Sequence, residues 1–284
     1  MELRSADGFS LAELTRIWNL GYTGYFIPFT FTEEMLAGWL RNGDFDLSHS
    51  VVAMDGEKPI GFSLLGVRGG RGWIGGVGVS PDYRGQGMAY RLFAEHVALI
   101  EEQTDLRTVQ LEVLTENWAR KVYERAGFRV VRRLGVMQGV PGAMVSAGAG
   151  DGAGAGARPR VAPPVALLAH HDRLHGGCRA VWQREISWLE KSLPATAEGL
   201  YTGALEAPSG YLIVAPAGEG VRIADGAALT EADAADLVAM LAERYPGKNV
   251  SAVNEPDDGP LYKALVAAGV AEARSQWEML WTRP

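Results

Sequence analysis

The sequence predicts a layered α+β fold laid down twice, each copy a mixed, mostly antiparallel sheet flanked by helices. Three observations predict it. Apolar hairpins lead into a strand–helix–strand–helix run, the same order of elements recurs in the second half, and a Gly/Ala-rich stretch separates the two. A chain of 284 residues also exceeds the common size of one domain.

In the first half, apolar spacing predicts helices over 10–22 and 32–41, the second capped by Thr32. SVVAMD (50–55) and IGFSLLGVR (60–68) flank Gly56–Pro59 and read as a hairpin. A third strand, 72–79, runs through SPDYRGQGMA into a helix expected from Gln86 to Gln103. A strand over 108–115, a short helix over 117–127 closed by Gly127, and a last strand over 128–137 complete the unit. GVPGAMVSAGAGDGAGAGARPR is too poor in large apolar side chains to build a core and reads as a linker. The second half reads as one helix over 165–192, strands near 199–206, 210–215 and 220–225, a helix over 230–244, a strand over 249–254, a helix over 260–268 and a strand over 274–282. These signals place domains at 1–138 and 163–284, with the linker at 139–162.

Composition bounds the function. Hydrophobic residues at 47% and charged residues at 21% are globular proportions, so extensive disorder is not expected. A net charge of −7 argues against binding nucleic acid by neutralising phosphates and suits a cationic partner. No apolar run approaches the roughly 18 residues of a membrane span, and the N-terminus lacks the basic-then-apolar pattern of a secretory signal, so cytoplasmic residence is expected. Cys178 is the single cysteine, without a partner for an internal disulfide, and reads as inert.

The most informative stretch is VGVSPDYRGQGMAYRLF, a strand re-entering a helix through Arg84, Gly85, Gln86, Gly87, Met88 and Ala89. Glycines permit the turn and a close ligand approach, and the first amides of the helix lack internal partners, so the segment suits a pyrophosphate. Arg84 would add a charge-assisted bond. A P-loop is excluded because no Lys-Ser or Lys-Thr pair follows the second glycine, and a dinucleotide fingerprint because the loop holds only Gly85 and Gly87 after hairpin strands.

RGQGMA, with NWARKVYERAGF downstream, resembles the signature of the GNAT superfamily of acyl-CoA N-acyltransferases over roughly residues 1–140. The resemblance implies that the amides of Gly85–Ala89 bind the pyrophosphate of acetyl-CoA. It implies also that main-chain groups of Val77, Gly78 and Val79 bind the pantetheine and orient the acetyl carbonyl, that Asn117 lies near the cofactor arm, and that Tyr123 protonates the leaving thiolate.

Acetyl transfer to an amine needs a donor for the developing oxyanion, an acid for the thiolate and a base for the ammonium. The Val79 amide, Tyr123 and Glu112 are the candidates, with Asp46 and His49 as weaker bases. Trp18, Tyr22, Tyr25, Phe26 and Phe29 are core or acceptor-lining aromatics. Sliding the second half by 142 residues sets Leu265 against Tyr123 and Gly259 against Asn117, and no Arg-x-x-Gly-x-Gly loop precedes its helix. Asp225, Glu231 and Asp233 would repel a pyrophosphate there, so this half is expected to be a degenerate copy that binds no coenzyme A. His170, His171 and His175 include an i, i+4 pair, but the sequence sets no suitable carboxylate or cysteine beside them, and no metal is expected. The expected activity is transfer from acetyl-CoA to a small-molecule or peptide amine through a ternary complex; the alternative is a non-catalytic acyl-CoA sensor. A monomer and a homodimer are both open.

Overall fold

The computed structural model describes residues 1–26, 30–142, 160–176 and 179–284; Phe29, Cys178 and most of the Gly/Ala-rich stretch lie outside them. The chain divides into Met1–Arg132 with Trp277–Pro284, and Arg133–Gln276. These limits fall inside two strands, β6 (Arg129–Gly139) and β12 (Ala271–Thr282), and not in the Gly/Ala-rich stretch.

In the first unit, Ser10 and Glu13 form a capping box that starts α1 (Leu11–Tyr22), and Thr32 accepts from the Met35 amide to cap α2 (Glu33–Asn42), as its sequence position implies. Strands β1 (Glu2–Ser5), β2 (Val51–Asp55), β3 (Lys58–Arg68) and β4 (Arg71–Val79) pair antiparallel in that order, and β5 (Thr108–Leu114) joins β4 in parallel. Residues of β12 and then β6 come next after β5. Helix α3 (Met88–Gln103) and the short α4 (Arg120–Arg125) cover one face, where Phe93, Ile100, Leu111 and Phe128 are buried. Trp18, Leu36 and Phe62 fill the other face beneath α1 and α2. Met279 and Trp281 complete the first core, whereas the sequence boundaries assign them to the second half.

Edge strand β1 has no counterpart among the strands expected from sequence, because four residues reading Glu-Leu-Arg-Ser offer little apolar alternation.

The second unit contains β7 (Val161–Ala162), α5 (Pro164–Leu168), α6 (His171–Leu174), α7 (Ile186–Ser192), β8 (Glu198–Ala204), β9 (Ala207–Ala217), β10 (Gly220–Ala228), α8 (Glu231–Arg244), β11 (Val250–Pro256) and α9 (Pro260–Ala267). Its strand order is β12-β6-β11-β10-β9-β8-β7, with β10 and β11 parallel. The single helix expected over 165–192 is therefore corrected to three short ones; Gly176, at φ 62, ends the second of them. The two units share an irregularity: a register shift falls at Gly75 in β4 and at Ala224 in β10. They differ in the connection from that strand to the next helix. Residues 80–87 separate β4 from α3, whereas only Leu229 and Thr230 separate β10 from α8.

His96 on α3 is fully buried, with Nε2 2.7 Å from the His49 carbonyl and Nδ1 2.7 Å from Ser63 Oγ. A carbonyl only accepts, so Nε2 donates and Nδ1 accepts the Ser63 hydroxyl, which leaves a neutral ring. Burial lowers its pKa to about 4 from 6.5. The unfolded chain therefore binds the extra proton first, and this contribution to stability is complete above about pH 6.5 and lost as pH falls towards 4. Unfolding titrations should show the wild type losing about 2 kcal/mol more than His96→Gln between pH 7 and pH 5; equal pH slopes would contradict the assignment.

Candidate active site

Pairing between β4 and β5 runs from Arg71↔Thr108 to Trp73↔Gln110. Beyond Trp73, β4 stays registered to β3 on its other side as far as Val79. Strand amides alternate in direction, and Ser80 donates to the Ile60 carbonyl on the β3 side. The amides of Val77 and Val79 therefore point the other way, into the gap that opens between β4 and β5. The Gly75 bulge sets up this divergence, and its carbonyl is held by the Trp39 indole N–H at 3.2 Å.

Close packing brings α1 onto the same segment. A Cβ at Gly78 would lie 2.9 Å from the Gly21 Cα, so glycine at both positions lets the end of α1 rest directly on β4. Tyr22 comes next, and its hydroxyl accepts the Val77 N–H. Tyr123 from α4 is buried against Phe93, with ring centroids 4.6 Å apart. Burial, and then the neighbouring Tyr25, push the Tyr123 hydroxyl well above the usual phenol range. Burial does the same to Tyr22, reinforced by Tyr25 and Tyr123. Asn117 joins the group: its Nδ2 lies 3.4 Å from the Tyr25 hydroxyl, while its Oδ1 accepts the Ala119 amide at 2.9 Å. Three tyrosines and one asparagine thus converge beside the outward amide of Val77.

After Val79 the chain turns through Pro81–Tyr83 and reaches α3 through Gly85 (φ 76) and Gly87 (φ 74). Gly87 is the N-cap, without a side-chain bond, and so the helix begins at Met88, two residues later than the sequence suggests; a left-handed residue cannot continue it. The first intrahelical bond runs from the Arg91 amide to the Gly87 carbonyl. The amides of Met88, Ala89 and Tyr90 consequently have no acceptor within the helix, and the first turn carries no acidic residue. Gly85, Gln86 and Gly87 are exposed. This donor set suits a diphosphate. The Arg84 guanidinium instead binds main-chain carbonyls, with Nε 2.9 Å from Val79 O and Nη2 3.0 Å from Gly21 O, tying the end of β4 to α1.

Glu112 lies on β5 two residues past the last paired position, and its Oε2 accepts the Trp73 indole N–H at 2.8 Å. Asp46 and His49 are engaged with each other, Nδ1 to Oδ2 at 2.8 Å. Burial raises the Asp46 pKa, but bonds from Ser48 and His49 outweigh it and hold the carboxyl below its usual range. His49 borders Leu3, Arg4, Val51 and Leu99 around a cavity of about 210 Å³. Trp18 is a core residue, stacked on Phe31 and Phe62 at 4.9 and 5.1 Å. Phe26 is exposed. Sequence reasoning gave Tyr22 and Tyr25 only as core or lining and missed Trp39 and Trp73 as supports; a buried indole needs a partner for its N–H, which is the signal that Trp73 offered.

Comparison with protein-family models matches residues 11–128 to the Acetyltransferase (GNAT) family. The first half of the chain is a GNAT acetyltransferase domain. By family it is an acyl-CoA-dependent transferase that acetylates amines, with acetyl-CoA as co-substrate. No curated protein matches the sequence. Solved structures match over the whole chain. A GCN5-related N-acetyltransferase from Anabaena variabilis gives a TM-score of 0.65 at 17% identity, covering 98% of this chain and 72% of that one. One from Sphaerobacter thermophilus gives 0.63 at 16%, covering 100% and 96%. A tandem GNAT protein from the clavulanic acid biosynthesis pathway gives 0.61 at 14%, covering 100% and 99%. The fold of both halves is thus the tandem GNAT fold. Among the described residues no helix is long and apolar enough to cross a membrane.

Replacing Gly87 by Glu in the GNAT domain should strain the left-handed cap and set a carboxylate beside the free amides. Coenzyme A at a hundredfold excess over its Kd should stabilise the wild type by roughly 2.7 kcal/mol in thermal unfolding and leave Gly87→Glu unshifted. Equal stabilisation of both would remove the loop from the binding site.

Proposed function

We propose that the first unit transfers an acetyl group directly from acetyl-CoA to a primary amine in a ternary complex. The reading is carried by one observation: the Val77 and Val79 amides face the gap between β4 and β5, and that gap leads to the uncapped start of α3. Amides of Gly85–Ala89 grip the pyrophosphate, and Arg84 braces the turn by holding Val79 and Gly21. Val77, Gly78 and Val79 offer main-chain groups to the pantetheine, and Asn117 steadies the tyrosine cluster at its arm. The acetyl carbonyl takes the place at the open β4 amides where Tyr22 now accepts from Val77, and a fixed N–H there stabilises the charge that develops on oxygen.

Tyr123 is the acid. A phenol is protonated at neutral pH, so its hydroxyl can donate to the departing thiolate, whose own acid has a pKa near 8.5. Burial, which raises the phenol's pKa, makes the hydrogen bond to the thiolate the larger part of that role. Glu112 is the base. An alkylammonium with a pKa near 10.4 must lose a proton before it attacks, and the Trp73 indole orients the carboxylate that receives it, directly or through water. The second unit binds no coenzyme A in this scheme. Its strand-to-helix connection lacks the loop, and Thr230 caps α8 at the Asp233 amide with Glu231 and Asp233 in the first turn. Asp225, expected beside that helix start, is buried elsewhere in the unit.

Free-thiol release measured across a panel of amines tests the activity, and coenzyme A binding without release for any amine would favour the sensor reading. Tyr123→Phe should lower kcat by on the order of 10²-fold with acetyl-CoA affinity nearly intact; unchanged kcat would exclude Tyr123 as the acid. Glu112→Gln should cut kcat/KM at pH 7 and recover as pH approaches the amine's own pKa, whereas a loss that is uniform with pH would point to a structural part for Glu112.

A further inference from the structure

The second unit holds a buried polar cluster that the acetyl-transfer chemistry does not use. After the bulge at Ala224, β10 carries Asp225, and β11 carries Asn254, at φ 61, with Glu255 next in the chain. Arg184, from the turn Trp182–Arg184, enters between them. Its Nε lies 2.9 Å from Asp225 Oδ1, its Nη1 2.5 Å from Glu255 Oε2, and its Nη2 3.0 Å from the Gly226 carbonyl. Asp225 is fully buried, and Arg184 and Glu255 are 5% and 3% exposed. The one guanidinium is shared between two buried carboxyl groups and takes only one oxygen of Asp225.

Two histidines face what remains. Arg184 occupies Oδ1 of Asp225, so Oδ2 is the oxygen that meets His175 Nε2 at 3.3 Å and His171 Nε2 at 3.9 Å, with the Tyr211 hydroxyl donating to it at 2.5 Å. His171 is surrounded by acceptors at both ring nitrogens: Asp172 Oδ1 is 2.9 Å from Nδ1 and the Arg184 carbonyl 3.0 Å from Nε2. A neutral imidazole has one N–H. When the Asp172 carboxylate takes it, the Nε2 lone pair points at a carbonyl and towards a carboxylate, an arrangement that a cation stabilises. A carboxylate on the far nitrogen of a histidine is also the usual outer support of a metal-bound imidazole.

We propose that His171, His175 and Asp225 bind a divalent transition metal of the zinc class, with the Arg184 carbonyl as a fourth ligand. The three side-chain ligand atoms all lie within 4.8 Å of one another. Two imidazoles and one carboxylate select zinc, cobalt or nickel over magnesium or calcium. The absence of a metal expected from the sequence rested on the lack of a carboxylate near the histidines; the fold brings one from 50 residues away in β10. Bound there, the ion pins α6 to β10. His175, whose side chain is 16% exposed, gives it a way in.

The test is Co²⁺ titration of the full chain after dialysis against a chelator, read by visible d–d absorption. One saturable equivalent per chain, displaced by Zn²⁺, is expected, together with a higher thermal midpoint in Zn²⁺. His175→Ala should weaken Co²⁺ binding by about 100-fold, as should His171→Ala, while His170→Ala binds like the wild type. His171 and Asp225 are buried and their variants can lose the fold; the partly exposed His175 keeps the test decisive. No saturable Co²⁺ binding, or full binding by His175→Ala, overturns the proposal. So does an imidazole ¹⁵N spectrum that Zn²⁺ leaves unmoved at both His171 and His175.

Discussion

A parallel strand pair held together along its whole length would satisfy its own amides, and β4 and β5 are not so held. Their pairing ends at Trp73 and Gln110, and the bulge at Gly75, gripped by Trp39, carries the rest of β4 away with two outward amides. The packing of Gly21 on Gly78 brings Tyr22 to that edge, Arg84 reaches back to the end of β4, and Tyr123 comes from the helix after β5. The oxyanion donor, the acid and the anion-binding turn of the proposed reaction are thus arranged around main-chain groups that the sheet leaves unpaired.

The second unit shows how little of this comes from the fold itself. It has the same parallel pair, the same bulge and the same succeeding helix. Its connection is cut to Leu229 and Thr230, its helix start is capped and acidic, and Arg184 with two carboxylates lies between the strands past the bulge. Where the GNAT domain leaves the start of α3 without a side-chain cap, the second unit caps α8 with Thr230 and fills the space past its bulge with buried side chains.

Much of the first unit was legible because its signals are local. Thr32 caps its helix, the hairpin turns are punctuated by Gly and Pro, and the glycines of the 84–89 loop adopt the positive φ that only their lack of a Cβ makes easy. The glycine turn that leads into α3 could be read from spacing for the same reason. Long-range events were not legible. Nothing near Trp281 announces that it completes the core around Phe93, because a strand's pattern records that it is buried and not against what. The convergence of Tyr22, Tyr25 and Tyr123 depends on two glycines meeting from distant elements. The union of His171 and His175 with Asp225 likewise needs the sheet to exist first.

Residue-resolved amide hydrogen exchange, with and without coenzyme A, reads directly whether the amides at the start of α3 and on the open edge of β4 are the groups that hold the cofactor. Slowed exchange at Gly85–Tyr90 and at Val77 and Val79 is expected, with the first turn of α8 unchanged. Saturating coenzyme A that leaves Gly85–Tyr90 exchanging as before, or that protects α8 instead, would contradict this role.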